Sequence, residues 1–566
     1  MGILVLVTVC AVLFSRSPNR EQRALEETRR ALRQQGFKTD LSDFDLSTSP
    51  EERSRAAVLA TTSRAALTNR SRPILIESPA FINSIGKDAA IVVWRCEKLE
   101  GNYGNDLWPD LRDRVATNQT RMDAARQAAL SGPIRFELIE PPNALLPYLA
   151  DIKNLTSAFG VGTILALRDG RADSAWTNLC AATRLVTAYA PEPIDVSHLV
   201  RFACAGIAYD TSWNALQSTN WTDAQLAELQ REWEHVDFFS GLPMTAALSR
   251  VNSAMMCQIH RREPRETPTG MMFKELLRSP RDAWPFLSGQ WRQLQYRHHG
   301  SFEDEQSLLL YYRDREVELR RAVQCGTWSD MSQLPGVTNF VPFQSKHRSA
   351  VQAMFNQKQL MLRLQGQGEG LLGRAAVAEA HRRLIITALA LERYRGQHGA
   401  YPKALQELAP QLVRNPPEDF MDGKPLRYRL TDDGHFVLYS VGLDCTDDGG
   451  KMPLRGPRGL TYQNGRPIAT PPEIDVVWPR PATAVEVEHF LQEQINARQK
   501  QADQAEDFEA TEQWRRTARR QAQVERILAA KPESRAFEPN YRGPHSPKRF
   551  GMKTPPAQTN SRSTNC

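Results

Sequence analysis

The sequence lacks the long hydrophobic segments of a protein with many membrane spans. Its 566 residues are 41% hydrophobic and 24% charged, and the mean hydropathy of −0.50 excludes a multi-spanning membrane body. A chain of this length is long enough for two or more domains, each burying its own core. The composition is otherwise that of an ordinary globular protein.

Cysteine pairs with the spacing of metal or redox motifs are also absent. The eight cysteines are scattered without a CxxC pair, which argues against a zinc site and against a thioredoxin-like motif. The chain also has no large excess of charge of one sign, because 72 Lys and Arg residues are largely offset by 65 Asp and Glu residues. With no compact basic patch interleaved with aromatics, we expect no nucleic-acid partner.

No HExxH, GxSxG, Walker A or kinase motif is present, so we predict no catalytic residues and identify no small-molecule substrate. The glycines of Gly366–Gly373 lack the Lys-Ser/Thr of a P-loop and indicate a helix break or hinge. His260 and the pair His298-His299 lie in an Arg-rich helical context, which is typical of surface residues. The alternative is an enzyme whose catalytic residues are distant in sequence.

An apolar run at the start of the chain is the one targeting clue in the sequence. Ile3 to Phe14 are continuously apolar, but the run is shorter than the about 20 residues that a spanning helix needs. No basic region precedes the run and no cleavage site follows it. We predict a single N-terminal membrane anchor over residues 1–16, or a signal-like segment, and localisation at the cell membrane. The arginines at 16, 20 and 23 favour a cytoplasmic body, whereas the head described below favours the periplasm. A buried strand, a cleaved peptide and a missing upstream stretch are the alternatives.

The next part of the chain divides by composition. Residues 17–140 predict a charged stalk and mixed region, in which the β-branched runs of 72–101 favour a short strand or two. Residues 141–365 carry apolar residues at three- and four-residue spacing and predict a domain of helical hairpins. Within it, Asp169-Gly170 separates two helices, and Asp173 is the predicted N-cap of the second. The hairpin resembles one unit of a tetratricopeptide-type array, but no 34-residue period is evident.

Residues 374–482 predict an α+β head. A long helix ends at Gly399, where glycine can take the left-handed conformation, and Tyr401-Pro402 opens the turn that follows. Alternating residues on both sides of Asp432-Asp433-Gly434 predict a β-hairpin. The predicted fold class is therefore mainly α: a helical body with a C-terminal α+β head that combines a long helix with a small antiparallel sheet.

Two further segments follow the head. Residues 483–530 are highly charged with a thin apolar stripe, which predicts a solvated helix, with a coiled coil as the alternative. Residues 531–566 are polar and Pro-rich, which predicts a disordered tail.

An acidic, glycine-rich loop lies between the hairpin and the end of the head, at 440–450. Its carboxylates are those of Asp444, Asp447 and Asp448. Carboxylates spaced by one to three residues, with glycines that permit sharp turns, can surround a hard cation such as calcium with oxygen ligands. A metal-free turn held by hydrogen bonds from side chain to backbone is the alternative.

The order of these elements resembles the globular head of the major pseudopilins of type II secretion. The resemblance covers residues 374–450 and rests on Tyr401-Pro402, on 422–428 and on 439–442. The chain departs from the pattern upstream, because the matching helix begins deep inside the chain and carries Arg374. Packing into a pilus by the usual route is therefore not expected.

The resemblance also implies a calcium site in the acidic loop. Matched by position, Asp444 is the firmest ligand and Val441 offers its backbone carbonyl, while Asp447 and Asp448 are weaker matches. Cys445 stands where such loops commonly have glycine, and a second carboxylate ligand further along has no clear counterpart beyond Asp448.

Taken together, these features predict a membrane-anchored binding or assembly protein of the bacterial cell envelope, linked to type II secretion-like machinery, with other envelope proteins as partners. The whole chain also resembles a group of bacterial membrane-anchored proteins that carry this head, a resemblance that supplies no activity. The alternatives are a helical repeat-type adaptor with no secretion role and an envelope enzyme with an unrecognised site.

Overall fold

Helices make up most of the described chain. The structure is a computed structural model, and it describes residues 20–68, 82–86, 88–99, 106–138, 146–262, 296–334, 370–452, 461–463, 466–468 and 475–493, with isolated positions between 495 and 519. In chain order, the α-helices are α1 (Arg20–Gln34), α2 (Pro50–Thr68), α3 (Trp108–Thr117), α4 (Gln119–Leu130), α5 (Tyr148–Arg168), α6 (Ala172–Thr187), α7 (Asp195–Leu216), α8 (Asp223–Glu234), α9 (Leu242–Arg262), α10 (Ser301–Val323), α11 (Trp328–Ser332) and α12 (Leu371–His398).

The strands are short and form small sheets. They are β1 (Asn83–Ile85), β2 (Ala89–Ile91), β3 (Arg427–Leu430), β4 (Phe436–Ser440), β5 (Thr461–Gln463), β6 (Arg466–Ile468), β7 (Val476–Trp478) and β8 (Arg480–Pro481). One sheet has the order β1-β2-β8, a second has the order β3-β4-β7, and β5 pairs with β6. The predicted fold class is confirmed at this level, a mainly helical protein with small antiparallel sheets.

The helical body is built on the hairpin of α5 and α6. The predicted turn is confirmed, because α5 ends at Arg168 and Gly170 adopts a φ of 71°, in the left-handed region that glycine enters at little cost. Asp173, however, lies within the first turn of α6, and the N-cap is Arg171. At that position its carboxylate still faces the positive end of the helix dipole.

Helix α1 is part of a second helical group with α9 and α10. Its Leu25 and Leu32 are buried against Ala254 and Leu309. This segment was predicted as part of a charged stalk, yet one face of the helix is packed. Two apolar residues seven positions apart lie on the same side of a helix, which explains how so charged a sequence joins a core.

The head contains the predicted helix and hairpin. Gly399 caps α12 with a φ of 80°, and β3 pairs with β4 in antiparallel register around the turn at Asp432–Gly434. Strand β7 then adds to the other edge of β4, with Leu438 opposite Trp478. The sheet therefore has β4 at its centre, and all five residues of β4 are buried.

The strands predicted near residue 90 form a sheet with β8, the last strand of the head. Strands β1 and β2 form an antiparallel pair, and β2 runs parallel to β8. The backbone N–H of Ala482 donates to the carbonyl of Ala90 at 2.8 Å, and Arg429 on β3 pairs with Asp88. Residues 88–90 thus contact both β3 and β8 of the head.

The head and the helical body share one core. Residues up to Phe490 form one compact unit, and Leu491–Cys566 form a second, whose described residues are helical. Within the first unit, α12 packs against α7 and α8. The Tyr209 hydroxyl of α7 donates to the Val477 carbonyl at 2.7 Å, and the Trp213 indole donates to the Pro479 carbonyl at 2.8 Å. These bonds join α7 to the last strands of the head.

The predicted membrane anchor and the predicted localisation at the cell membrane require correction. None of the described helices is both long and apolar enough to cross a membrane. The segment on which the anchor was placed, residues 1–16, lies outside the described residues, as does the predicted tail at 531–566. The physical reason is length, because the apolar run from Ile3 to Phe14 falls short of the about 20 residues of a spanning helix.

Candidate functional site

The acidic loop leaves strand β4 and is held by its own turns. Asp444 is exposed, and its Oδ1 accepts a hydrogen bond from the Thr446 N–H at 3.0 Å. Asp447 Oδ1 accepts from the Tyr439 hydroxyl at 3.0 Å and from the Gly449 N–H at 2.9 Å. Bonds of this kind, from a carboxylate to a backbone N–H two residues later, stabilise a turn without any metal.

A buried carboxylate lies beneath the first residues of the loop. Asp419 is fully buried and accepts from the Ser440 hydroxyl at 2.7 Å and from the Val441 N–H at 2.9 Å. Arg427 donates to the same carboxylate at 3.2 Å and to Asp422 at 2.6 Å. The hydrogen bond that Arg427 donates to Asp422, and the charges of Asp422, Asp419 and Asp447, raise the pKa of the Arg427 guanidinium above its ordinary value. Because the arginine neutralises these acids, their main effect is to fix the start of the loop.

Asp475 is the loop neighbour that sequence reasoning missed. Its carboxylate accepts from the Gly450 N–H at 2.8 Å and lies 3.5 Å from the Asp448 backbone nitrogen. Burial raises the pKa of Asp475 to about 6, and the charges of Asp447 and Asp448 add to the rise. The position of Asp475 directly before the apolar strand β7 is the one sequence signal that could have drawn attention to it.

The predicted calcium ligands therefore share one loop, but their carboxylates do not converge on one point in this arrangement. Among the described residues, no group of three or more His, Cys, Asp or Glu side chains has the geometry to hold a metal ion. Arg427 Nε also lies 3.5 Å from Asp447 Oδ2 and competes with a cation for that oxygen. Calcium in this loop stays a prediction.

We expect calcium chloride to raise the melting temperature of the full-length chain and Asp444→Ala to abolish the rise. A ligand present at 100 times its dissociation constant stabilises the folded state by about 2.7 kcal/mol, which corresponds to a shift of a few degrees. Differential scanning fluorimetry with and without calcium measures it, with Asp432→Ala, an exposed acid of the hairpin turn, as the control. An equal rise in Asp444→Ala would remove Asp444 as a ligand, and no rise in any chain would remove calcium.

A second candidate site is a groove in the helical body, formed by the end of α4 and by α6 and α8. Its volume is about 270 Å³, and it is lined by Leu130, Ser131, Gly132, Cys180, Thr183, Arg184, Glu228, Leu229 and Glu232. Arg184 Nη1 donates to both carboxylate oxygens of Glu232, at 2.9 and 3.0 Å. The Thr187 hydroxyl donates to Glu232 at 3.1 Å. No sequence motif marks this groove, because its residues come from three separate helices.

Buried polar groups also gather at the start of α7, inside the body. Tyr189 donates to Glu192 at 2.9 Å, and burial raises the pKa of that carboxyl group. His198 is 3% exposed, and burial, together with the charge of Arg201, lowers its pKa to about 3. Glu192 and His198 are both enclosed by the core. We therefore expect them to affect the stability of the fold rather than to act on a substrate.

The histidines that lie near arginines in sequence have ordinary local partners. His260 Nδ1 lies 2.9 Å from the Met256 carbonyl, one turn earlier in α9. His299 Nδ1 lies 3.3 Å from Glu21 of α1. These contacts are typical of histidines that support helix packing.

Within the part of the chain that the structure describes, the groove and the acidic loop are thus two candidate places for binding a partner or a ligand. Asp444, Asp447, Asp448 and Val441 lie together as one loop, whereas the groove and Asp475 emerge only in three dimensions. Comparisons of the chain with models of known protein families, with curated proteins and with solved structures found no match.

Proposed function

We propose that this chain is a binding or assembly protein in which a pseudopilin-like head is a built-in part of a helical scaffold. The observation that carries this proposal is the position of α12. Its residues Leu384, Ile385 and Ala388 are completely buried, and the helix contacts α7 and α8 of the body as well as β4 and β7 of the head. Both sides of the helix are occupied by the chain itself.

The covered helix favours a scaffold that binds partners on its outer surfaces over a subunit of a pilus. In a pseudopilin the equivalent helix begins at the N-terminus and packs against other subunits. Here Arg393 of α12 pairs with Asp223 of α8 at 2.8 Å, and Gln230 of α8 donates to the Leu412 carbonyl of the head at 2.7 Å. A partner therefore meets the outer surfaces of the head and of the body, not the helix that joins them.

A link to secretion machinery rests on the resemblance of the head, and an adaptor that reuses the head fold is the second candidate. The second candidate is favoured by the groove of the body, which lies on α4, α6 and α8 and needs no head residue. Fold likeness alone does not fix function, so the identity of the captured partner has to separate the two.

The test is chemical crosslinking of the tagged full-length chain in cells that express it, followed by capture and mass spectrometry. Asp444→Lys alters the exposed head loop and Glu228→Lys alters the body, so the two variants form a matched pair. Secretion components that are captured by the wild type and lost in Asp444→Lys would support the assembly role. Other proteins lost only in Glu228→Lys would support the adaptor. No capture above the tag alone would contradict both.

A further inference from the structure

The groove between α4, α6 and α8 has the size of a site for one side chain. Its volume of about 270 Å³ is below the roughly 300–1,000 Å³ of pockets that enclose cofactors or drug-sized ligands. Its walls include two leucines, Leu130 on the rim and the buried Leu229. Such walls suit an aliphatic stem with a polar end.

The charge of the groove is negative. Arg184 and Glu232 neutralise each other through their paired contact, whereas Glu228 has no ion pair with any described residue and is exposed. Helix α4 ends at Leu130, and the last carbonyl groups of a helix carry a partial negative charge. The groove therefore attracts a cation.

A buried hydroxyl without a partner lies in the same groove. Thr183 is completely buried, and its Oγ1 makes no hydrogen bond to any described residue. An unsatisfied buried polar atom is costly, and a ligand that donates an N–H group to it recovers that cost. Burial and the charges of Glu228 and Glu232 raise the pKa of Cys180 to about 12, so the thiol stays neutral and adds no charge.

We infer that this groove binds a basic side chain, arginine or lysine, presented by a protein partner. Glu228 pairs with the cation, Thr183 Oγ1 accepts one of its N–H groups, and the two leucines cover its stem. This inference rests on the proposed binding role and names the part of the body that performs it. A peptide-borne side chain is favoured over a free diamine because Arg184 Nε, also without a described partner, requires an acceptor that a peptide carbonyl supplies.

The probe is N-acetyl-arginine amide, added to the full-length chain at 20 mM, with N-acetyl-norleucine amide plus equal sodium chloride as the neutral match. We expect the arginine probe to raise the melting temperature by about 1–2 °C and the norleucine probe to leave it unchanged. Glu228→Gln should abolish the rise. Glu234→Gln is the control, because it lies on the same helix, is exposed and does not line the groove.

An equal response in wild type and Glu228→Gln, or no response in either, would overturn the inference. Putrescine is a third arm: stabilisation by putrescine but not by the arginine probe would point to a free diamine and overturn the peptide source. A failed probe together with specific crosslinking in cells would remove the groove and leave the binding role. A positive probe with no crosslinked partner would contradict the binding role and the protein source of the side chain, and would leave the groove as a site for a basic group.

Discussion

Replacing Arg250 by alanine is expected to lower the free energy of unfolding by about 3–5 kcal/mol, the cost of leaving one member of a buried ion pair alone. Arg250 is completely buried in α9. It donates to Glu316 of α10 at 2.6 Å and to the Lys38 carbonyl at 2.8 Å. Among the described residues, its loss leaves Glu316, 3% exposed, with Arg320 as its one cationic partner, so the cost falls at the lower end of this range. Urea denaturation followed by circular dichroism measures the change.

Two variants separate the buried charge from the lost packing. The double variant Arg250→Met, Glu316→Leu replaces both charges by apolar groups. Its loss in free energy of unfolding should be smaller than that of Arg250→Ala, because no partner of the broken pair stays buried as a charge. Arg112→Ala breaks the exposed pair with Asp169 and should cost less than about 1 kcal/mol. A single Arg250→Ala variant as stable as Arg112→Ala would show that the buried pair adds nothing to this helical group.

The parts of the fold that could be predicted are those set by local backbone geometry. Gly399 and Gly434 both adopt positive φ, at 80° and 74°, and each was identified as the end of a helix or the turn of a hairpin. Glycine is favoured there because a side chain would be strained. The same reasoning found the break between α5 and α6 at Gly170. Signals of this kind depend on a few adjacent residues, so a single sequence contains them.

The pairing of β2 with β8 could not be predicted in the same way. It joins Ala90 to Pro481, and the strands are three and two residues long. A strand this short has no readable alternation, and its partner is selected by packing in three dimensions. The prediction of Asp173 as the N-cap of α6 was wrong by two residues. Asp173 lies within the first turn of the helix, and an acidic residue stabilises a helix from either position.

In the candidate sites, too, the features formed by neighbouring residues could be predicted and those formed by distant residues could not. Asp444, Asp447 and Asp448 are close in sequence and were predicted together, whereas Asp475, directly before β7, lies about 25 residues further along the chain. Arg427 donates to the buried Asp419, and the sequence does not show which of its aspartates are buried. The groove is formed by residues from three separate helices, so no local sequence pattern indicates it. What the sequence lacks is the set of distances between elements.

Lowering the pH from 8 to 4 is expected to destabilise the wild-type chain more than His198→Gln, by about 3 kcal/mol. The folded pKa of His198 is lowered to about 3, whereas an unfolded histidine titrates near 6.5. Between these values the unfolded chain binds a proton that the folded chain excludes, so stability is complete above pH 6.5 and is lost as the pH falls. At about 1.36 kcal/mol per unit, the interval from 6.5 to 4 gives the stated difference.

The sign distinguishes His198 from its neighbour Glu192. The pKa of that carboxyl group is raised by burial, so its contribution is present at low pH and is lost as the pH rises through the folded pKa. The two groups therefore act in opposite directions, and only the histidine adds to destabilisation in acid. Free energies of unfolding at pH 4, 5, 6 and 8 test this, with His398→Gln, which removes an exposed histidine, as the control. Parallel curves for wild type and His198→Gln would mean that His198 can be protonated without opening the core. In that case its Nδ1, which has no partner among the described residues, would have to find an acceptor inside the folded body.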